Sequence, residues 1–177
     1  MKKFLTVLAV LFLCVTLANA QGYRKGVNNL NVGIGFGLSG IYGDAGFPPV
    51  TAGLQIGIHE KFSVGGIVGY SSSSYGYANW EWTYSYILIG ARGEYHFLEP
   101  TETWDAYGGV TLGYNIVSVS EPSGYTNYFG YGYTAETSYA LFGFHVGARY
   151  LFTPSIGVFG ELGYGIGYIT VGANFRL

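Results

Sequence analysis

The side chains able to do acid–base, metal or ionic chemistry are few, and they recur on one face of alternating segments. Arg92, Glu94 and His96 share a segment, Asp105 opens the next, His145 and Arg149 lie on a third, and Glu161 and Arg176 sit on the last two. His59 belongs to the same register earlier in the chain. Catalysis would need a nucleophile, a base within hydrogen-bond reach and a group that orients the base. No histidine adjoins an outer-rim serine with an acidic partner, and no His-x-His spacing suggests a metal site. The sequence therefore supplies no catalytic residue, no metal ligand and no cofactor site. It predicts an ion-paired network of Arg92, Glu94, His96, Asp105, His145, Arg149, Glu161 and Arg176, with three arginines matched by three carboxylates. Balance is what an enclosed set of charges requires, because an unpaired buried charge is costly.

The elements that carry these residues repeat with period two. Leu30, Val32, Ile34, Phe36 and Leu38 alternate with Asn31, Gly33, Gly35 and Gly37, and seven further segments follow. They run over 50–59, 62–70, 87–97, 105–116, 140–152, 156–164 and 169–177, and the third is interrupted at Gly66-Ile67. Period two marks strands, and most segments are about nine to eleven residues long, the length with which a tilted strand crosses a bilayer. All five prolines (Pro48, Pro49, Pro100, Pro122, Pro154) fall between the segments. The gaps alternate long and short, except for a brief last one at Gly165–Gly167. The Gly-x-Gly runs lie inside strands with no helix to follow, so they read as packing space rather than phosphate loops.

Composition separates a lipid-solvated barrel from a soluble one. Of 177 residues 10% are charged, 49% are hydrophobic and 19% aromatic, with 30 Gly and 18 Tyr. Soluble proteins carry roughly 25% charge. The face opposite the apolar one is mostly Gly with isolated charges, which suits a narrow lumen better than a solvated surface. Residues 1–20 read as an export signal: Lys2 and Lys3, an apolar run from Phe4 to Leu17, then Ala18-Asn19-Ala20. Cys14, the single cysteine, would leave with it, so no disulfide or thiolate chemistry is expected. Residues 21–177 then form one domain, with six Lys/Arg against ten Asp/Glu and no basic patch for nucleic acid. No further apolar run reaches helical membrane-spanning length, which leaves a closed barrel as the way to satisfy the backbone in lipid. Phe62, Tyr95, Phe97, Trp104, Tyr150, Phe152 and Phe175 would form one interfacial girdle. Phe36, Tyr70, Tyr114, Phe142 and Tyr164 would form the other.

With these features the chain resembles the small outer-membrane β-barrel family, the porin-like, OmpA/OmpX-type barrel domains of Gram-negative bacteria. The resemblance rests on the signal, the eight alternating segments, the run Gly160–Tyr168 and the alternating final strand, although Leu177 stands where the family usually ends in an aromatic residue. It implies an all-β, eight-stranded antiparallel up-and-down transmembrane barrel in the outer membrane, with both termini periplasmic. Outer-membrane lipids and, during biogenesis, the barrel-assembly machinery are the implied partners. The Tyr-, Ser- and Gly-rich gaps are the expected outer contact surface, through Tyr75, Tyr77, Trp80, Tyr125, Tyr128, Phe129, Tyr131 and Tyr133. They are equally compatible with strands that continue beyond the bilayer. The expected role is non-enzymatic, structural or in surface interaction. A narrow passive or gated pore is the alternative, and an envelope-lipid enzyme a more distant one.

Overall fold

Val, Ile, Phe and Tyr at every second position favour the pleated, half-covered surface of a strand, and eight such strands make up the protein. A computed structural model describes residues 25–38, 44–77, 80–98, 103–120, 138–165 and 167–177. The strands are β1 (Asn28–Leu38), β2 (Asp44–His59), β3 (Phe62–Tyr77), β4 (Trp80–His96), β5 (Trp104–Ser120), β6 (Tyr139–Leu151), β7 (Ile156–Tyr164) and β8 (Gly167–Arg176). Each pairs antiparallel with the next, and β1 pairs with β8 from Asn29↔Arg176 to Leu38↔Gly167, so the sheet closes into a barrel. Closure pairs the first strand with the last, which removes the open side edge of a sheet. The start of β1, the end of β8 and the turns after β2, β4 and β6 lie at one end, called here the near end.

All eight expected segments form strands, but β2 to β5 run farther at the other, far end than the alternation indicated. Ser71–Glu81, expected as a long gap, is mostly ladder: β3 and β4 stay paired as far as Tyr77↔Trp80. The expected long–short alternation of gaps is accordingly not the alternation of the connections. Pro48 and Pro49 also lie within β2 rather than between segments. Between Phe47↔Ser72 and Val50↔Tyr70 the β2 side spends one extra residue, a bulge, and β1 pairs with β2 only as far as Val50. The two prolines thus occupy a place where no ladder donor is missed. Pro154 lies in the turn after β6, whereas Pro100 and Pro122 fall outside the described residues. The wall is tall along β3–β5 and low at β7–β8, where pairing stops at Leu162↔Ile169. Gly165 makes that short turn with φ 146°, a conformation that favours glycine.

Burial is inverted relative to a water-soluble protein. Val32, Ile34, Ile56, Val68, Ile89, Leu112, Phe144 and Val171 are exposed around the outside. Near its lower rim the outside carries touching rings, Phe62–Tyr95–Phe97 (5.1 and 5.5 Å between centroids) and Trp104–Tyr150–Phe152 (4.8 and 5.3 Å). The buried set is polar: Asn29, Asn31, Gln55, Ser63, Arg92, Glu94, His96, Asp105, Arg149 and Asn174 all face the lumen. A smaller apolar layer of Ile67, Leu88 and Leu141, with Tyr139 against it, lies toward the far end. Ile67 thus breaks the alternation of β3 because it points inward.

Candidate functional site

Neighbouring strands deliver the lumen charges at matched heights. Asp105 of β5 is registered with Arg149 of β6, Glu94 of β4 with Gly109 of β5, and Gly109 with His145 of β6. Large groups fit because glycines face them. A methyl group added at Gly147 would stand 2.9 Å from Tyr107 Cζ, and one at Gly109 would stand 2.9 Å from the His145 ring. Likewise, methyls at Gly33 and Gly172 would lie 2.7 and 2.8 Å from the ring of Phe159. The glycine-rich parity is therefore the space that the lumen side chains use.

Arg149 is the hub. Its Nη1 donates to Asp105 Oδ2 at 2.7 Å and its Nη2 to Glu94 Oε2 at 2.8 Å. Its guanidinium carbon lies 3.7 Å from the centroid of the Tyr107 ring, a cation–π contact. Arg92 forks onto Glu161, Nη2 to Oε2 at 2.9 Å and Nη1 to Oε1 at 3.4 Å. The Tyr107 hydroxyl donates to the same Oε1 at 2.8 Å. Two histidines complete the set among the described residues. His96 meets Asp105 Oδ1 through Nδ1 at 2.8 Å and Ser63 Oγ through Nε2 at 3.1 Å, so both ring nitrogens are occupied. His145 brings its Nε2 to 3.5 Å from Glu94 Oε1. Beside these, Asn174 donates to Asn29 at 3.2 Å and to Asn31 at 2.7 Å, an amide cluster joining β8 to β1.

Seven of the anticipated residues, Arg92, Glu94, His96, Asp105, His145, Arg149 and Glu161, thus meet in one contact set. Arg176 is buried at the near end of β8, where its backbone N–H bonds the Ser155 carbonyl at 2.9 Å. His59, assigned to the inner register, is instead exposed: a register shift between Gly57 and His59 releases it at the turn, beside Phe62. Tyr75 and Tyr77 lie on β3 and Trp80 on β4, in strand rather than loop. Tyr125, Tyr128, Phe129, Tyr131 and Tyr133 fall outside the described residues.

Three features escaped the sequence reading. Tyr107, fully buried, stood on the inward register between Asp105 and Gly109, and its opposite number Gly147 was the available signal. The asparagine cluster was visible only as polar spacing. The order Ser63–His96–Asp105 has the connectivity of a hydrolase triad, assembled from three strands and so invisible to local spacing. Its serine, however, is 1% exposed, and Asp105 is committed to Arg149 as well. The triad order here satisfies a buried imidazole and presents no nucleophile to a substrate.

A closed eight-stranded barrel with apolar outside and ionic inside defines the class. Among solved structures the chain is similar to the N-terminal β-barrel domain of Pseudomonas aeruginosa OprF, at 11% identity and a TM-score of 0.59, over 86% of this chain and 98% of that one. It is also similar to Ail, the attachment invasion locus protein of Yersinia pestis, in complex with the heparin analogue sucrose octasulfate, at 12% identity and TM-score 0.57, over 87% and 100% of the two chains. Neisserial surface protein A (NspA) matches at 17% identity and TM-score 0.51, over 90% and 97%. At these identities the likeness carries the fold, that of the small outer-membrane barrels. No protein-family model and no curated protein sequence matches the chain.

Proposed function

We propose that this protein is a non-enzymatic outer-membrane barrel of a Gram-negative bacterium, closed by its lumen charges, with a structural or surface-contact role. The observation that carries the reading is the inversion of burial, with exposed Leu112 and Phe144 outside and Arg149 at 1% exposure inside. Lipid stabilises such an outside and water does not. With the near end taken as periplasmic, both termini are periplasmic too, and outer-membrane lipids and the assembly machinery are the partners. The far-end wall and the connection after β5, with Tyr75, Tyr77, Trp80, Tyr125, Tyr128, Phe129, Tyr131 and Tyr133, supply the contact surface. The names of two structural neighbours, an attachment protein and a surface protein, agree with such a role.

A pore is the second reading, and one observation favours it. A cavity lined by residues of β2 to β8 reaches Arg92, His145 and Glu161. The Arg92–Glu161 fork and the Tyr107 ring stand beneath it. Planar-bilayer recording of the folded barrel decides between the two. The closed reading expects no discrete channels from the native chain and brief openings from Tyr107→Ala. Steady unit conductance from the native chain would replace it with the pore.

A further inference from the structure

His96 and His145 share the lumen but differ in one respect. His96 has both nitrogens bonded. His145, 6% exposed, has no hydrogen-bond partner at Nε2, and the atom it faces, Glu94 Oε1, has none either. Buried polar atoms are rarely left this way without a reason. Their 3.5 Å separation is long for a hydrogen bond. It is close to the edge of a tetrahedral zinc site, about 3.3 Å for metal–ligand bonds of about 2.0–2.1 Å. A carboxylate oxygen of Glu161 completes a trio whose ligand atoms all lie within 4.8 Å of one another.

The surroundings fit a cation at that point. Arg149 binds Glu94 through Oε2, which leaves Oε1 turned toward His145. Arg92 and Tyr107 hold the Glu161 carboxylate in place, the kind of support that orients metal-binding side chains. Arg92 and Arg149 pair with the carboxylates of Glu94, Asp105 and Glu161, and Arg92 Nη1 stands 3.9 Å from Glu94 Oε1, farther off than His145 Nε2. His145 and Glu161 line a cavity of about 40 Å3, room for a few water molecules.

We propose that Glu94 Oε1, His145 Nε2 and Glu161 form a three-ligand site for one divalent ion of the zinc type, its fourth position facing the cavity. One nitrogen and two carboxylate oxygens suit Zn2+ better than Mg2+ or Ca2+, which prefer all-oxygen shells. Local spacing could not show this, because the ligands come from β4, β6 and β7.

The test is calorimetric titration of the untagged, detergent-folded barrel with Zn2+, and with Co2+ to read tetrahedral geometry from its visible absorption. One Zn2+ per barrel is expected. Affinity should fall at least tenfold in His145→Ala and in Glu94→Gln, and stay unchanged in His59→Ala, whose histidine is exposed. Should Glu94→Gln fail to fold, as judged by loss of heat-dependent gel mobility, His145→Ala decides alone. No binding by the native barrel, binding retained in His145→Ala, or binding lost in His59→Ala would each overturn the proposal. None of these results bears on whether the lumen conducts.

Discussion

Two stretches of β5 obey opposite rules. From Trp104 to Ile116 the outward residues are Trp104, Val110, Leu112, Tyr114 and Ile116, while Asp105, Tyr107, Thr111 and Asn115 are buried inside. Two residues farther on the polarity flips. Val117 is buried inside, and Ser118 and Ser120 face out. The facing stretch of β4 behaves alike: Ile87 and Ile89 are exposed, whereas above them Ser85 and Thr83 take the outward parity and Tyr86 and Tyr84 the inward one. The strand is continuous and its period unbroken. What changes is the solvent outside. An apolar exterior with polar packing within fits lipid, and a serine exterior over valine fits water. The flip therefore marks where the barrel leaves the bilayer, at the level of Ile87, Tyr114 and Ile116.

The comparison is broken most severely by removing the hub of the near stretch. In Arg149→Ala the Glu94 and Asp105 carboxylates would remain buried without their main partner, and breaking a buried pair this way costs about 3–5 kcal/mol. Urea unfolding of the barrel from lipid vesicles, followed by tryptophan fluorescence, measures it. A loss below about 1 kcal/mol would mean that water or another cation compensates these carboxylates.

A second pair of substitutions locates the boundary itself. Val110 lies on the outward face between Trp104 and Tyr114, near the middle of the apolar band. Val110→Arg should destabilise the barrel by about 2–4 kcal/mol, the cost of a lipid-facing arginine at mid-depth. Ser118→Arg, on the same strand and face but past the flip, should change stability by no more than about 0.5 kcal/mol. Equal costs at the two sites would place the boundary beyond Ser120.

The same flip explains what could be read from the sequence. Between the rims the apolar parity is constant, so all eight strands and seven of the lumen charges followed from alternation, while the closed order came from composition and the family resemblance. Beyond Ile116 on β5 the polarity reverses, and beyond Tyr70 on β3 serines take both parities, with Ser71 and Ser73 buried inside. Apolar–polar alternation in one phase ends there, so Ser71–Glu81 reads as a loop although its backbone stays in the ladder. The site was legible in its membership and hidden in its wiring. Which arginine holds which carboxylate depends on register across strands up to 69 residues apart, as between Arg92 and Glu161. The register shift that exposes His59 left no trace in composition.

The smallest expected effect contrasts the two faces of the near stretch. At Gly147 an added methyl would stand 2.7 Å from the Gly160 carbonyl oxygen, 2.8 Å from Glu161 Cγ and 2.9 Å from Tyr107 Cζ. The carbonyl belongs to the β7 backbone and cannot turn aside, so the Tyr107 ring and Glu161 must move, and their shared hydrogen bond lengthens. Overpacking of this kind costs about 1–3 kcal/mol, and Gly147→Ala is expected near the lower end because only one methyl is added. At Gly93, one residue from Arg92 and Glu94 but on the opposite parity, an added methyl meets nothing within 4 Å. Gly93→Ala should therefore be neutral or stabilising by up to about 1 kcal/mol, since alanine restricts the unfolded chain. Unfolding both variants side by side isolates the lumen's packing from the general effect of replacing glycine in a strand. If the two changes prove equal, glycine in the lumen serves the backbone rather than the fit of Tyr107, and the charged layer is looser than its contacts imply.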